Sequence, residues 1–317
     1  MKIVALDAYT INPGDTSWSS VEKLGDFTAY DRSEPDEIIA RAMPAEVLLT
    51  NKAVLNEQIF AELPNLKYVS VTATGFNVVD AAAARARGIA VSNVPEYSTQ
   101  SVAQHVFALI LNLIHQPTRH DRAIRDGKWQ EANDFCFWLD PLNELAGKTI
   151  GIVGFGRIGQ AVAKLAAAFG MKVLAYNPRE KSTAGIEFAW CSLDELLSAA
   201  DFVSLHCPQT ESTTGMVNAT FLAKMKPQAV LINASRGGLV VEQDLADALN
   251  GGKIRAALVD VASQEPINND NPLLQAKNCL MSPHIAWATV ESRQRLIEIT
   301  AGNIEAFQNG KPVNVVN

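Results

Sequence analysis

Residues 148 to 170 read "KTIGIVGFGRIGQAVAKLAAAFG": a β-rich apolar run, three glycines in G-x-G-x-x-G spacing at Gly154, Gly156 and Gly159, then a segment of helical period. A strand that feeds a helix through a glycine turn is half of a βαβ unit, which commits this region to a parallel sheet. In that setting Gly154 makes the tight turn and Gly156 lets a pyrophosphate approach the backbone. Gly159 lets the helix pack on the strand, and the helix N-terminus holds the phosphates. The spacing also occurs in ordinary turns, so it is the flanking strand and helix that make it a dinucleotide-binding signature. One position departs from the pattern. The next strand, "KVLAYNPREK", ends in Asn177 where an acid usually holds the ribose 2′-hydroxyl. Asn can bond a hydroxyl but cannot repel a 2′-phosphate, and Arg179 and Lys181 stand close by, either to attract one or simply as solvated loop residues. NAD is the expected cofactor, with NADP the alternative.

The same alternation of short strands and helical segments runs through the chain in two series. The first contains "KIVALD", "FTAYD", "EVLLT", "YVSVTA" and "IAVSNV". After the long apolar helix "SVAQHVFALILNLI" comes an irregular polar and aromatic stretch, 115 to 147. The second series follows with "KTIGIVG", "MKVLAYN", "DFVSLHC", "AVLINAS", "IRAALVDV" and "NCLMSPH", and a last helix spans roughly 289 to 310. The expected fold is α/β, two Rossmann-like doubly wound parallel-sheet domains. A flavodoxin-like substrate domain, discontinuous over 1–99 and 285–317, would accompany a dinucleotide-binding domain over 100–284. A chain of 317 residues is long enough for two cores, with a cleft between them that closure would shield from water.

A formal charge of −7 offers no basic footprint for nucleic acid or anionic lipid. No apolar stretch approaches the roughly 20 residues of a membrane span, and "MKIVALDAYTI" lacks a secretory leader pattern. Cys136, Cys191, Cys207 and Cys279 form no CxxC pair and read as reduced thiols of a cytoplasmic protein. His115 and His120 have no partner at ligand spacing, so no metal site is expected.

Catalytic groups cluster at three successive strand ends. "INASRGG" supplies Arg236, "LVDVASQEP" supplies Asp260 and Glu265, and "MSPHIAW" supplies His284. Each has a structural explanation in isolation: a surface charge, a residue before Pro, a cap. Together they lie at the carboxyl edge, where doubly wound sheets bind ligands.

From "TGFNVVD" through "VPEYSTQSVAQH", "GKTIGIVGFGRIG", "NASRGGLV" and "DVASQEP" to "SPHIAWAT", the chain resembles the D-isomer-specific 2-hydroxyacid dehydrogenases over essentially its whole length. "TNK" at 50 to 52, "DFCFW" at 134 to 138 and "HIAWAT" at 284 to 289 look most like the glycerate dehydrogenases, or hydroxypyruvate reductases, within that family. The resemblance implies that Arg236 binds the substrate carboxylate and polarises the ketone, that His284 is the acid/base, and that Glu265 pairs with it. It implies cofactor contacts around Arg157 and Ile158 beside the three glycines, at Asn177 and Arg179, and at the strand ends carrying Cys207, Pro208, Ala234 and Ser235, with Asp260 near the nicotinamide. Amides of the loop with Thr74 and Gly75 would take the substrate carboxylate.

Lys52 would approach the substrate's hydroxymethyl end or stay in solvent, and Trp287 would line the substrate or merely pack at the start of the last helix. The resemblance implies that the 115–147 stretch forms a dimerisation arm and hence a homodimer, with Trp138 either approaching the partner subunit's site or packing in the interface. No catalytic role is assigned to His105 or His206.

The expected reaction is reduction of hydroxypyruvate or glyoxylate to D-glycerate or glycolate. A hydride reaches C2 while His284 protonates the oxygen and the planar guanidinium of Arg236 holds the carboxylate. Another 2-keto acid such as pyruvate, or a dinucleotide-sensing corepressor-like binding protein, is the alternative. Formate oxidation is disfavoured, because that branch generally carries Gln where this chain has Glu265.

Overall fold

The computed structural model describes residues 1–179, 185 and 187–317; Lys181 lies outside the described residues. In chain order its main elements are β1 (Lys2–Ala5), α1 (Ser19–Glu22), β2 (Asp26–Ala29), α2 (Ile38–Ala42), β3 (Val47–Thr50), α3 (Glu57–Ala61), β4 (Tyr68–Val71), α4 (Ala81–Ala86), β5 (Ala90–Ser92), α5 (Thr99–His115) and α6 (Pro117–Arg125). Then come β6 (Thr149–Val153), α7 (Arg157–Ala168), β7 (Lys172–Tyr176), β8 (Ala189–Trp190), α8 (Leu193–Ala199), β9 (Phe202–Leu205), α9 (Ala219–Lys224), β10 (Val230–Asn233), α10 (Glu242–Asn250), β11 (Ala256–Val259), β12 (Cys279–Met281) and α11 (Val290–Gln308). They form two compact units, Met1–Ser98 with Trp287–Asn317, and Thr99–Ala286.

In the first unit five parallel strands take the order β2-β1-β3-β4-β5, the flavodoxin-like arrangement. Strand residues alternate between two cores. Val4, Leu48, Val69 and Val91 face one, while Ile3, Val47, Leu49 and Tyr68 face the other with Leu296, Ile297 and Ile304 of α11. Burial on both faces explains why "EVLLT" and "YVSV" are almost wholly apolar rather than alternating. Thr289 caps α11 by accepting from the Ser292 amide. One turn on, Arg293 holds both Asp15 oxygens at 2.6 Å and so ties the 11–15 loop to that helix.

The second unit is a seven-stranded parallel sheet in the order β12-β11-β10-β9-β6-β7-β8. The order reverses between β6 and β9, which is the switch point where such sheets open a crevice at their carboxyl ends. Ile150, Ile152, Ile232 and Leu258 pack beneath α5 and α7. Val203, Leu205, Leu231 and Val259 pack with residues of α8, α9 and α10.

The 115–147 stretch, expected to be irregular, begins instead with α6. Gln116 takes a left-handed conformation (φ 49°) that breaks α5, and Pro117 starts the new helix where a missing N–H costs nothing. Only Ala123 of α6 is buried, so the helix carries no apolar stripe for a sequence reading to detect. Beyond it Phe135 is 89% exposed and Trp138 65%. The two-residue β8 beside β7 is likewise too short to leave a pattern. No helix among the described residues is long and apolar enough to cross a membrane.

Candidate active site

The glycine turn sits at the switch point of the second sheet. Gly154 has φ +95°, and a Cβ there would lie 2.5 Å from the Cys207 amide nitrogen and 2.6 Å from the His206 carbonyl carbon. The turn between β6 and α7 therefore rests directly on the end of β9. A Cβ on Gly159 would lie 2.4 Å from the Gly154 oxygen, which brings the first turn of α7 onto the glycine loop. Gly156 differs: nothing lies within 4 Å of where its Cβ would be. It is the N-cap of α7 and supplies no side-chain cap, so an anion can take the first amides of that 12-residue helix, around Arg157 and Ile158. The open backbone, the helix N-terminus and the switch point together fit a pyrophosphate.

Around this cradle, the Asn177 side-chain amide donates to the Arg179 carbonyl and braces the loop after β7, with Arg179 exposed. Ser235 Oγ donates to the Cys207 carbonyl at 2.8 Å, joining the ends of β9 and β10, and Pro208 follows as an exposed residue. Ala234 is half-buried beside Ser235.

His206 is half-buried, and its Nε2 pairs with Ser204 Oγ at 2.8 Å. Burial pushes its ring from 6.5 down to about 4. The unfolded chain thus takes up a proton before the folded one as pH falls through 6.5, and stability drops until about pH 4. The loss from this group between pH 7 and 4.5 is expected to be at most about 2–3 kcal/mol. Denaturant unfolding at the two pH values should show that difference shrinking in His206→Gln, a neutral replacement.

The catalytic candidates lie after three adjacent strands, β10, β11 and β12. Asn233, 1% exposed, wraps the first turn: its Nδ2 donates to the Arg236 carbonyl and its Oδ1 accepts from the Ser235 amide, leaving Arg236 exposed. Gly237 abuts the Ala262 backbone and so joins that turn to the loop after β11. In this second loop Glu265 Oε2 meets His284 Nδ1 at 2.6 Å while Oε1 accepts from the Ala262 amide. Glu242 at the start of α10 anchors the same loop through Ser263 and Asn271. With Nδ1–H given to the carboxylate, Nε2 is the His284 nitrogen left to exchange a proton.

His284 itself is strained, with φ +55° in a region non-glycine residues seldom adopt. The chain is held there by Asp260. Its Oδ1 accepts from Ile285 N (3.0 Å) and Ser282 Oγ, its Oδ2 accepts from Ala286 N (2.8 Å), and its carbonyl accepts from His284 N (2.7 Å). These bonds keep Ile285 and Ala286 with the second unit. Burial would raise the Asp260 carboxyl, but hydrogen bonds from His105, Ser282 and the two amides outweigh it and lower it.

In the first unit Asp7 at the end of β1 accepts the amides of Asn51, Lys52 and Ala53, which fixes the loop after β3 and leaves Lys52 exposed. Thr74 Oγ1 donates to the Val94 carbonyl, and Gly75 follows in the same loop after β4. Trp287 meets Tyr97 edge-on at 6.2 Å.

Residues 107–286 match the sequence profile of the "D-isomer specific 2-hydroxyacid dehydrogenase, NAD binding domain". The chain belongs to the D-isomer specific 2-hydroxyacid dehydrogenase family. It is 50% identical over 321 residues, all of both chains, to the hydroxypyruvate reductase of Blautia hydrogenotrophica. It is 40% identical to the glycerate dehydrogenase of Methylorubrum extorquens, covering 99% of this chain and 98% of that one. Among solved structures, the NADPH-dependent glyoxylate/hydroxypyruvate reductase of Sinorhizobium meliloti in complex with NADP and malonate superposes with a TM-score of 0.83. The two are 29% identical, with 99% of this chain and 96% of that one covered.

Asn233, Glu242, Ser282 and His105 were not anticipated as site residues. Asn233 is the polar last residue of an otherwise apolar strand in "VLIN", and that position was the one available sequence signal.

Proposed function

We propose that this family member is an NAD(P)-dependent reductase of hydroxypyruvate and glyoxylate, yielding D-glycerate and glycolate. The observation that carries the proposal is the His284–Glu265 pair at 2.6 Å, set at the carboxyl edge of the sheet one strand from the Arg236 turn. When bound, the reduced nicotinamide supplies the hydride. The amides of Arg157, Ile158 and Gly159 would hold its pyrophosphate, with Cys207, Pro208, Ala234 and Ser235 along the neighbouring strand ends and Asp260 behind the His284 loop. Asn177 and Arg179 are compatible with NAD and with NADP.

Arg236 binds the substrate carboxylate through two parallel bonds and draws charge from the ketone, assisted by the amides of Thr74 and Gly75. Lys52, exposed in the first unit, is the contact this reading expects for the distal end of the substrate. His284 Nε2 gives its proton to the oxygen that becomes negative at C2, and Glu265 stabilises the imidazolium that must be present beforehand. The exposed Trp129, Phe135, Trp138 and Leu142 suit burial against a second copy, and the homodimer is part of this reading. Four free cysteines suit a reducing, cytoplasmic setting.

The test is loss of reduced-nicotinamide absorbance with NADH and NADPH in parallel, against hydroxypyruvate, glyoxylate, pyruvate and a bulkier 2-keto acid. Rapid turnover of the first two is expected, and none with any of the four would overturn the reading. Glu265→Gln keeps the shape but removes the carboxylate that meets Nδ1, so kcat for reduction should fall while KM changes little. An unchanged kcat would remove Glu265 from the mechanism.

A further inference from the structure

His105 lies on α5, far in sequence from the 260–286 segment, yet its Nε2 is 2.9 Å from Ser282 Oγ and 3.3 Å from Asp260 Oδ1. The direction of these bonds follows from counting protons. Ser282 has one hydroxyl hydrogen and gives it to Asp260 Oδ1, so it can only accept from His105. His105 therefore carries its proton on Nε2 and points it at both groups. The Asp260 side chain is fully enclosed, and among the described residues His105 is the one basic side chain placed within 4 Å of it. Three other donors reach that carboxylate, two of them the amides just after His284. One turn earlier on the same face of α5, Ser101 Oγ donates to the Ala286 carbonyl at 2.6 Å. The segment 282–286 is thus gripped from one side by Asp260 and from the other by α5, and it holds a histidine at φ +55°.

We infer that His105 is a positioning residue for His284: through Ser282 and the buried Asp260 carboxylate it keeps the 282–286 segment in the strained form that presents the His284 ring to Glu265. A charge enclosed to this degree stays in place only while its donors are present. Without His105, Asp260 must turn toward other donors, Ser282 is released, and the left-handed conformation at His284 loses the contacts that oppose its relaxation. The inference rests on the proposed role of His284, but its geometry can be tested apart from that role.

The variants are His105→Phe, which fills the same space without a donor, and His105→Gln, whose Nε2 can take the place of the imidazole nitrogen. With hydroxypyruvate, kcat in His105→Phe is expected to fall on the order of 10- to 100-fold, the cost of a misplaced reacting group. NADH binding, followed by fluorescence, and KM should change little, and His105→Gln should recover most of kcat. The chain has only five histidines, so the His284 ring can be followed by NMR, with His284→Asn assigning its signals. In His105→Phe those signals should move or broaden while those of His120 stay. Unchanged kcat with unmoved His284 signals would overturn the inference, as would equal loss in both variants. If the wild type reduces no 2-keto acid, the proposed function fails, and the NMR comparison alone decides whether His105 positions the His284 ring.

Discussion

Removing the His284 imidazole is expected to lower kcat for reduction on the order of 10²- to 10⁴-fold, the usual worth of a positioned proton donor. The ring sits at the end of a chain of bonds: the Ala262 amide to Glu265 Oε1, Glu265 Oε2 to Nδ1, and Nε2 left for the proton in flight. The ring of His105 is committed to Ser282 and Asp260 and does not replace that nitrogen. The choice of substitution matters because φ at this position is +55°. Alanine there keeps the Cβ strain that His284 already carries, roughly 1–2 kcal/mol, whereas asparagine tolerates the left-handed region better and has no comparable acid. Both variants should lose the rate, with His284→Asn the less destabilised of the two. NADH binding should survive in each. A His284→Asn enzyme retaining more than about a tenth of wild-type kcat would show that the proton comes from elsewhere.

The second large effect is expected at the glycine turn, where two neighbouring substitutions should separate folding from binding. Gly154→Ala places a methyl 2.5 Å from the Cys207 amide nitrogen at φ +95°, and backbone rather than a flexible side chain is in the way. Strain at the dihedral contributes roughly 1–3 kcal/mol and displacement of the turn from β9 a similar amount. For a unit of this size that is roughly 5–20 °C in melting temperature. Gly156→Ala meets nothing within 4 Å, so the fold should be indifferent to it. Its methyl instead enters the open space over the first amides of α7, and the loss should be confined to dinucleotide affinity. Thermal unfolding with and without NADH reads both quantities. A Gly156→Ala protein that binds NADH as tightly as the wild type would place the pyrophosphate elsewhere.

These expectations draw on features of unequal visibility in the sequence. The strand–glycine–helix order of residues 148 to 170 specifies its own geometry, because the positive φ at Gly154 and the close approach at Gly159 are available only to glycine. Apolar runs such as "VLLT" and "VLIN" identify strands buried on both faces, so parallel sheets and their helices were legible throughout. Arg236, Glu265 and His284 could be placed at one edge for the same reason: parallel strands all deliver their carboxyl ends to the same side. Helix α6 escaped notice because it buries a single alanine and owes its start to a left-handed residue and a proline.

Local sequence thus determined the strands, the turn and the side on which chemistry occurs, since each depends on periodicity or on a conformation one residue type supplies. Tertiary structure alone decided which side chains hold the reactive ones. His105 meets Asp260 and Ser282 across 155 and 177 positions of chain, and Glu242 meets Ser263 and Asn271 across 21 and 29. Such pairings follow from strand order and helix packing, which bring enclosed polar groups together so that each finds a donor or acceptor. No local pattern encodes a partner that distant, because its only signature is the cost of leaving a buried charge or hydroxyl unmatched.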